Sequence, residues 1–214
     1  KAVPGYDLRI LDEDGQEKAP GEEGDVAVKL PLPPGCLPTL WNNVTGFKDS
    51  YLSRFEGYYF SGDGGFKDEE DYAFITGRVD DIINVAGHRL STVEMEEVVA
   101  AHPVVVECAV VGVNAELKGQ IPMALVVVQQ SSQNFLEIAN EIISSVRTEI
   151  GPVAALKTVL QVKRLPKTRS GKILRKLLRY IANKEPFTIP STIDDPIIVN
   201  EIQEIIHPNY QQTN

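Results

Sequence analysis

The stretch Thr76-Gly77-Arg78-Val79-Asp80-Asp81-Ile82-Ile83-Asn84-Val85-Ala86-Gly87-His88-Arg89 constrains the fold more than any other. It is an apolar, strand-like run broken by charge. Gly77 and Gly87 admit backbone conformations that a Cβ forbids, and Asp80-Asp81 suits neither a strand interior nor a helix interior, so the run predicts a joint at residues 80–81. Arg78 and Arg89 flank that joint. An arginine fork matches phosphate oxygens and ribose hydroxyls better than a lysine point charge does, although Arg-x-Asp-Asp taken alone reads first as surface ion pairing.

Before the joint, Tyr6–Leu11 and Asp25–Leu30 alternate around the turn Asp12-Glu13-Asp14-Gly15, which predicts antiparallel β structure. Pro31-Leu32-Pro33-Pro34-Gly35 enforces a loop. Phe47, Tyr51 and Phe55 recur at helical spacing, and a short strand Tyr58–Phe60 is expected to end at Ser61-Gly62-Asp63, followed by a hairpin turning at Asp68-Glu69-Glu70-Asp71. After the joint, Ser91-Thr92-Val93-Glu94 is a capping box that starts a helix with Met95, Val98 and Val99 as its buried stripe, stopped by Pro103. Val104–Val113 and Ile121–Gln129 are strong β runs joined by the polar Lys118-Gly119-Gln120, and the first is continuous enough to be buried on both faces. A helix opens at Asn134 and closes at Gly151-Pro152, Thr158–Val162 is a third strand, and Ile173–Ala182 and Ile197–Ile206 are helical.

The fold class is therefore α+β: a β-rich segment over residues 1–79, a joint at 80–81, a small α+β unit over 82–190 with a three-stranded sheet and flanking helices, and a C-terminal tail over 191–214. Its 43% hydrophobic content supports a sizeable core, and its 24% charged residues argue against disorder. No apolar run is long enough to span a bilayer. Lys1 in place of Met reads as a piece of something longer, whose targeting segment would lie outside the sequence. Two cysteines, Cys36 and Cys108, lack metal-ligand spacing and suit a reducing compartment.

A net charge of −9 conceals a basic segment: eight cations and no acid lie between Lys163 and Arg179, leaving 13 basic against 30 acidic residues elsewhere. It is one helix long and without interleaved aromatics before Tyr180, which suits a small nucleotide better than a duplex. Lys167-Thr168-Arg169-Ser170-Gly171-Lys172 within it is not a phosphate-cradling P-loop. Pro166 stands where the first glycine is required, and Ile173 where a magnesium-binding hydroxyl is required. What remains is a flexible basic loop that presents Lys172 on a Ser-Gly pivot, with Arg175, Lys176 and Arg179 read as a solvated face.

Four ordered motifs carry a resemblance: Tyr58-Tyr59-Phe60-Ser61-Gly62-Asp63, Gly77-Arg78-Val79-Asp80-Asp81, Gly87-His88-Arg89 and Lys167-Thr168-Arg169-Ser170-Gly171-Lys172. Together they make the chain similar, almost end to end, to the adenylate-forming acyl-CoA synthetases, and within them to the acetyl- and propionyl-CoA synthetases. Ala86, where acetyl-CoA synthetases often carry serine, and the segment Lys29–Gly35 tilt the likeness toward the propionyl type. The resemblance implies a ligase that couples a short-chain carboxylate with ATP and its Mg2+ to an acyl-adenylate and passes the acyl group to coenzyme A. Asp63 would grip the ribose, Arg78 and Arg89 the nucleotide, and Lys172 would catalyse the first step. Asp80 would be the hinge, Ala86 and Gly87 would line the pantetheine tunnel, and Arg147 would meet the 3′-phosphate of coenzyme A.

By the same resemblance, residues 1–79 would be the C-terminal end of a larger N-terminal domain, 80–81 its hinge and 82–190 a mobile lid; the glycine-rich phosphate loop and acyl pocket precede Lys1, so the partner of this segment is the missing N-terminal domain of its own chain. Lys172 is an expected target for a lysine acetyltransferase and deacylase, since acetylation removes its charge. No nucleic acid is expected, and the compartment is cytoplasm or mitochondrial matrix. Two rival readings stay open: an adenylating enzyme with another acceptor, and a non-catalytic nucleotide- or protein-binding module.

Overall fold

The computed structural model describes residues 1–117, 119–129 and 134–208. The chain divides into two compact units, one ending at Asp80 and the next beginning at Asp81. The first is an antiparallel meander of β1 (Leu8–Leu11), β2 (Gly24–Lys29), β3 (Tyr58–Lys67) and β4 (Ala73–Arg78), in sheet order β1-β2-β3-β4. Its small core joins Leu11, Ala27 and Phe55 to the half-buried Tyr58 and Phe60.

Helix α1 (Val44–Tyr51) packs beside β3 and starts where Asn43 Oδ1 accepts the Gly46 amide at 2.9 Å. The helix ends at Tyr51, so Phe55 reaches the core from the turn that follows and meets Phe60 edge-on at 5.8 Å. Strand β3 runs ten residues and does not stop at Ser61, which corrects the expected short strand. A register irregularity at Gly64/Gly65 keeps it paired with β4. The acidic turn forms as expected without glycine: Asp71 takes φ 69°, and Asp68 Oδ1 accepts the amides of Glu70 and Tyr72.

The second unit is built on a five-stranded sheet. The three strands expected from the sequence are β7 (Val105–Ala115), β8 (Gly119–Val128) and β9 (Thr158–Gln161), with β9 parallel to β8. The hairpin of β5 (Ile82–Val85) and β6 (His88–Ser91) adds two more, through the pairing of Val85 with Gly119 at the start of β8. Lys118, in the expected polar connection, lies outside the described residues.

Alternation along β7 and β8 separates two cores. Cys108, Val110, Ala124 and Val126 face α2 (Thr92–Ala100) and α3 (Phe135–Glu149), whereas Ala109, Val111, Met123 and Leu125 face α4 (Arg175–Asn183) and α5 (Ile198–Ile206). Each fully buried leucine or isoleucine side chain, such as Leu125, Ile142, Leu178 or Ile202, contributes about 1.5–3 kcal/mol. Within the expected C-terminal tail, Ile193, Ile198, Val199 and Ile202 join the second core.

Local signals set the helix starts: Ser91 Oγ accepts the Glu94 amide at 3.3 Å, and Asn134 Oδ1 accepts the Leu136 amide at 3.2 Å. At the outer edge of β7, side chains take the backbone groups. Glu96 Oε1 accepts the Val110 amide at 2.9 Å, while Asn183, at the end of α4, accepts from Asn114 N at 2.7 Å and donates to Gly112 O at 3.1 Å.

Candidate functional site

In the first unit the structure brings Asp63 and Arg78 together as cross-strand partners on β3 and β4. Arg78 Nη1 donates to Asp63 Oδ1 at 3.2 Å and to the Ser61 carbonyl at 3.1 Å, and Nη2 stands 3.9 Å from Asp80 Oδ2. The guanidinium lies over Gly62. A Cβ there, at φ +78°, would come within 2.6 Å of Arg78 Nη2, so only glycine leaves the arginine this path. Ser61 Oγ donates to Val26 O at 2.9 Å and accepts the Asp63 amide at 3.1 Å, which fixes the backbone beneath the carboxylate. Asp63 thus sits inside a strand and not at its end. Its side chain keeps 33% of its exposure and that of Arg78 52%, which leaves acceptor and donor capacity for a polar ligand.

Arg89 falls in the second unit, on β6 opposite Asn84. The two residues between β5 and β6, Ala86 and Gly87, have φ 50° and 87°, the left-handed pair that a two-residue hairpin requires. Asparagine is the favoured first residue of such a turn, and here alanine holds the position at a cost of about 1–2 kcal/mol. Asn84 compensates by accepting the Gly87 amide on Oδ1 at 3.1 Å. Both turn residues are exposed, so the smallest side chains available form the tip. Asp80 belongs to the 3₁₀ turn Val79–Asp81 at the end of the first unit.

The segment around Lys172 is more ordered than a flexible loop. Lys167 and Ile173 pair as an antiparallel bridge, Thr168 N donates to Lys172 O at 2.8 Å, Gly171 N to Thr168 O at 2.8 Å, and Lys172 N to Thr168 Oγ1 at 3.1 Å. Gly171 takes φ +85° at the bend. The outer leg is bonded as well, with Arg169 N donating to Thr192 O at 3.0 Å and Asp194 N to Lys167 O at 2.9 Å. The backbone is held while the Lys172 side chain stays exposed.

Of the basic cluster, three cations are neutralised inside the unit. Arg164 donates to Asp195 and Glu201 at 2.6 and 2.9 Å, Lys167 pairs with Glu107, and Arg175 grips Glu96 with Nε at 2.8 Å and Nη2 at 2.6 Å. Arg175 is therefore no part of a solvated face. Glu96 holds its guanidinium above the usual arginine pKa, chiefly by hydrogen bonding. The sequence held a clue to this pair: Glu96 interrupts an apolar helix stripe between Met95 and Val99, and a carboxylate there must find a cation.

Arg147 is exposed in the last turn of α3, where a cation complements the helix dipole. It lines a depression of about 270 Å3 with Ile143, Val146, Gly151, Ala155 and Lys157. Lys157, unremarked in the sequence, gives this apolar-floored hollow a second positive group. Arg147 and Lys172 occupy different sides of the sheet, because α3 packs on the first core and the Lys172 hairpin leads into α4 on the second. Among the described residues no cluster of three metal-ligating side chains occurs, and no helix is long and apolar enough to cross a membrane.

Residues 94–172 match the AMP-binding enzyme C-terminal domain. The chain is 49% identical over 203 residues to the mitochondrial acyl-CoA synthetase short-chain family member B of Dictyostelium discoideum, covering 94% of this chain and 30% of that protein. It is 40% identical over 202 residues to the acetyl-coenzyme A synthetase of Pyrobaculum arsenaticum, with the same coverage of 94% and 30%. The crystal structure of ATP-bound MatB from Rhodopseudomonas palustris superimposes with a TM-score of 0.62 at 28% identity, covering 83% of this chain and 34% of that one. The chain thus spans about 30% of the length of the curated relatives it matches. Residues 94–172 belong to the AMP-binding enzyme C-terminal domain family, and the chain that carries them is a homologue of the short-chain acyl-CoA synthetases.

Proposed function

We propose that the chain is the C-terminal part of an ATP-dependent short-chain carboxylate–CoA ligase, with propionate as the preferred acid. The observation that carries this reading is the exposed Lys172 on a hydrogen-bonded hairpin whose neighbouring cations Lys167 and Arg175 are already neutralised. In the first half-reaction a carboxylate oxygen attacks the α-phosphorus of ATP, the new P–O bond forms, and the bond to the leaving pyrophosphate breaks. Two anions converge in that step. A single ammonium placed against both offsets their repulsion where charge shifts in the transition state, and a point charge can follow several oxygens.

Asp63 accepts from the ribose hydroxyls, and Arg78, still well exposed, turns donors toward the nucleotide, as does Arg89. Magnesium arrives with the ATP as part of the substrate. In the second half-reaction the coenzyme A sulfur attacks the acyl carbon, a C–S bond forms and AMP leaves. Ala86 and Gly87 give the thiol arm room, and Arg147 receives the 3′-phosphate. The Lys172 hairpin is anchored beside β7, while the Ala86-Gly87 turn lies beyond β8 from it, so one orientation of the unit serves one half-reaction. A rotation at Asp80 supplies the exchange.

The test uses the full-length enzyme with Lys172→Ala. Carboxylate-dependent ATP/pyrophosphate exchange falls by about 100- to 1,000-fold, whereas thioester formation from supplied acyl-adenylate survives. Exchange near the wild-type rate refutes the assignment. Propionate over acetate is checked by the ratio of kcat/KM values, where one methylene is worth about 10- to 200-fold. Acetylation of Lys172, which removes the same charge, is checked by mass spectrometry of enzyme from its natural source.

A further inference from the structure

We propose that the ion pairs Lys167–Glu107 and Arg175–Glu96 are positioning elements for Lys172: they fasten both feet of its hairpin to β7 and α2, so that the aim of the lysine is set within this unit before a nucleotide binds. The inference rests on the reading of Lys172 as the cation of adenylate formation.

The hairpin has two feet, one on each side of the lysine. Lys167 precedes it by one turn of chain and bonds Glu107 on β7, with both side chains about one-third exposed. Arg175 follows it, at the first residue of α4, and is held by both oxygens of Glu96 on α2. Glu96 is 9% exposed, and its Oε1 also accepts the outward amide of Val110 at 2.9 Å, so the carboxylate is anchored to β7 as well as to Arg175. Asp81, at the start of the unit, adds its field to the same guanidinium.

The hydrogen bonds within the hairpin make it a stiff tab: Leu174 N donates to Pro166 O at 2.9 Å and closes its base, level with the feet. Stiffness in the tab fixes nothing unless its base is fixed, and the two pairs supply that base. A lysine on a free loop would have to be ordered during the reaction; one on a riveted tab has lost that entropy on folding. Sequence spacing agrees with this division of labour. The cations at positions 167 and 175 bond carboxylates, and the one at 172, just past the bend at Gly171, faces solvent.

The experiment uses the full-length enzyme with four variants: Lys167→Met, Glu107→Gln, the charge swap Glu107→Lys with Lys167→Glu, and the double replacement Glu96→Met with Arg175→Met. The last removes a buried pair without stranding either charge, leaving only the Val110 amide without its acceptor, and its fold is verified by circular dichroism before the assays. The two single variants and the double replacement lower kcat of ATP/pyrophosphate exchange by about 10- to 100-fold, with KM for ATP and thiolysis of supplied acyl-adenylate within about twofold of wild type. The charge swap restores exchange, and hydrogen exchange shows the amides of Thr168, Gly171 and Lys172 losing protection in the others. Two outcomes overturn the inference: wild-type exchange rates in these variants while Lys172→Ala is inactive, or a parallel fall of both half-reactions, which marks the pairs as structural only. Retained exchange in Lys172→Ala instead overturns the reading beneath it.

Discussion

Two arginine–carboxylate pairs, one in each unit, put the same chemistry to opposite uses. Arg78 reaches Asp63 through one hydrogen bond of 3.2 Å, and both side chains remain substantially exposed. Arg175 meets Glu96 through two bonds of 2.8 and 2.6 Å, and the carboxylate, whose side chain is 11% exposed, takes a backbone amide too. A pair with spare donors and acceptors can exchange one partner for a ligand at little cost, whereas a saturated and buried one cannot open without stranding charge. The residue types say nothing of this difference. Burial and the count of satisfied lone pairs do.

The largest expected effect breaks the comparison directly. Glu96→Ala leaves Arg175 half-buried without its partner and destabilises the second unit by about 3–5 kcal/mol, while Asp63→Ala costs less than about 1 kcal/mol. Denaturant unfolding of both variants checks this, and equal losses would erase the distinction. Gly62→Ala comes next. Its Cβ meets Arg78 Nη2 at 2.6 Å and its φ of +78° is strained, so it costs about 1–2 kcal/mol and displaces the guanidinium, raising KM for ATP in the full-length enzyme without altering kcat of thiolysis.

The smallest effect is a chemical reporter of the saturated pair. Burial, and then the nearby Glu96 charge, push the Cys108 thiol from 9.0 up to about 11. At pH 8 it therefore resists iodoacetamide in the native protein. Since its folded value lies above its unfolded one, the contribution of this thiol to stability is complete below about pH 9 and is lost as pH rises through about 11. Glu96→Gln removes the carboxylate's share of that shift, so alkylation at pH 10 quickens and the alkaline loss of stability diminishes.

The parts of this architecture that local chemistry dictates were legible in the sequence. Ser91 and Asn134 cap the helices they announce, β7 and β8 bury alternate residues in separate cores, and the four motifs fall on exposed turns or bonded strands. Features that depend on distant partners were not. Strand β3 continues past Asp63 because β4 returns to pair with it across a bulge, and a run of glycines looks like a stop until that partner is in place. The β5–β6 hairpin joins the sheet through the ladder pair Val85–Gly119 and the bond from the Asn84 amide to Gln120 Oε1. Arg175 and Glu96 are 79 residues apart, so basic spacing suggested a solvated helix face where the fold supplies a carboxylate. The loop bearing Lys172 looked flexible because its serine and glycine are turn formers, yet the hydroxyl of Thr168 and the segment 192–194 bind its backbone.

The outer margin of β7 has a further consequence. A strand at the end of a sheet ordinarily offers a template on which another chain can add, and folded proteins blunt such edges. Here the Val110 and Asn114 amides and the Gly112 carbonyl are taken by Glu96 and Asn183, so a foreign strand meets an interrupted ladder along this stretch. The side chain that holds Arg175 in place thereby also blunts one stretch of that edge.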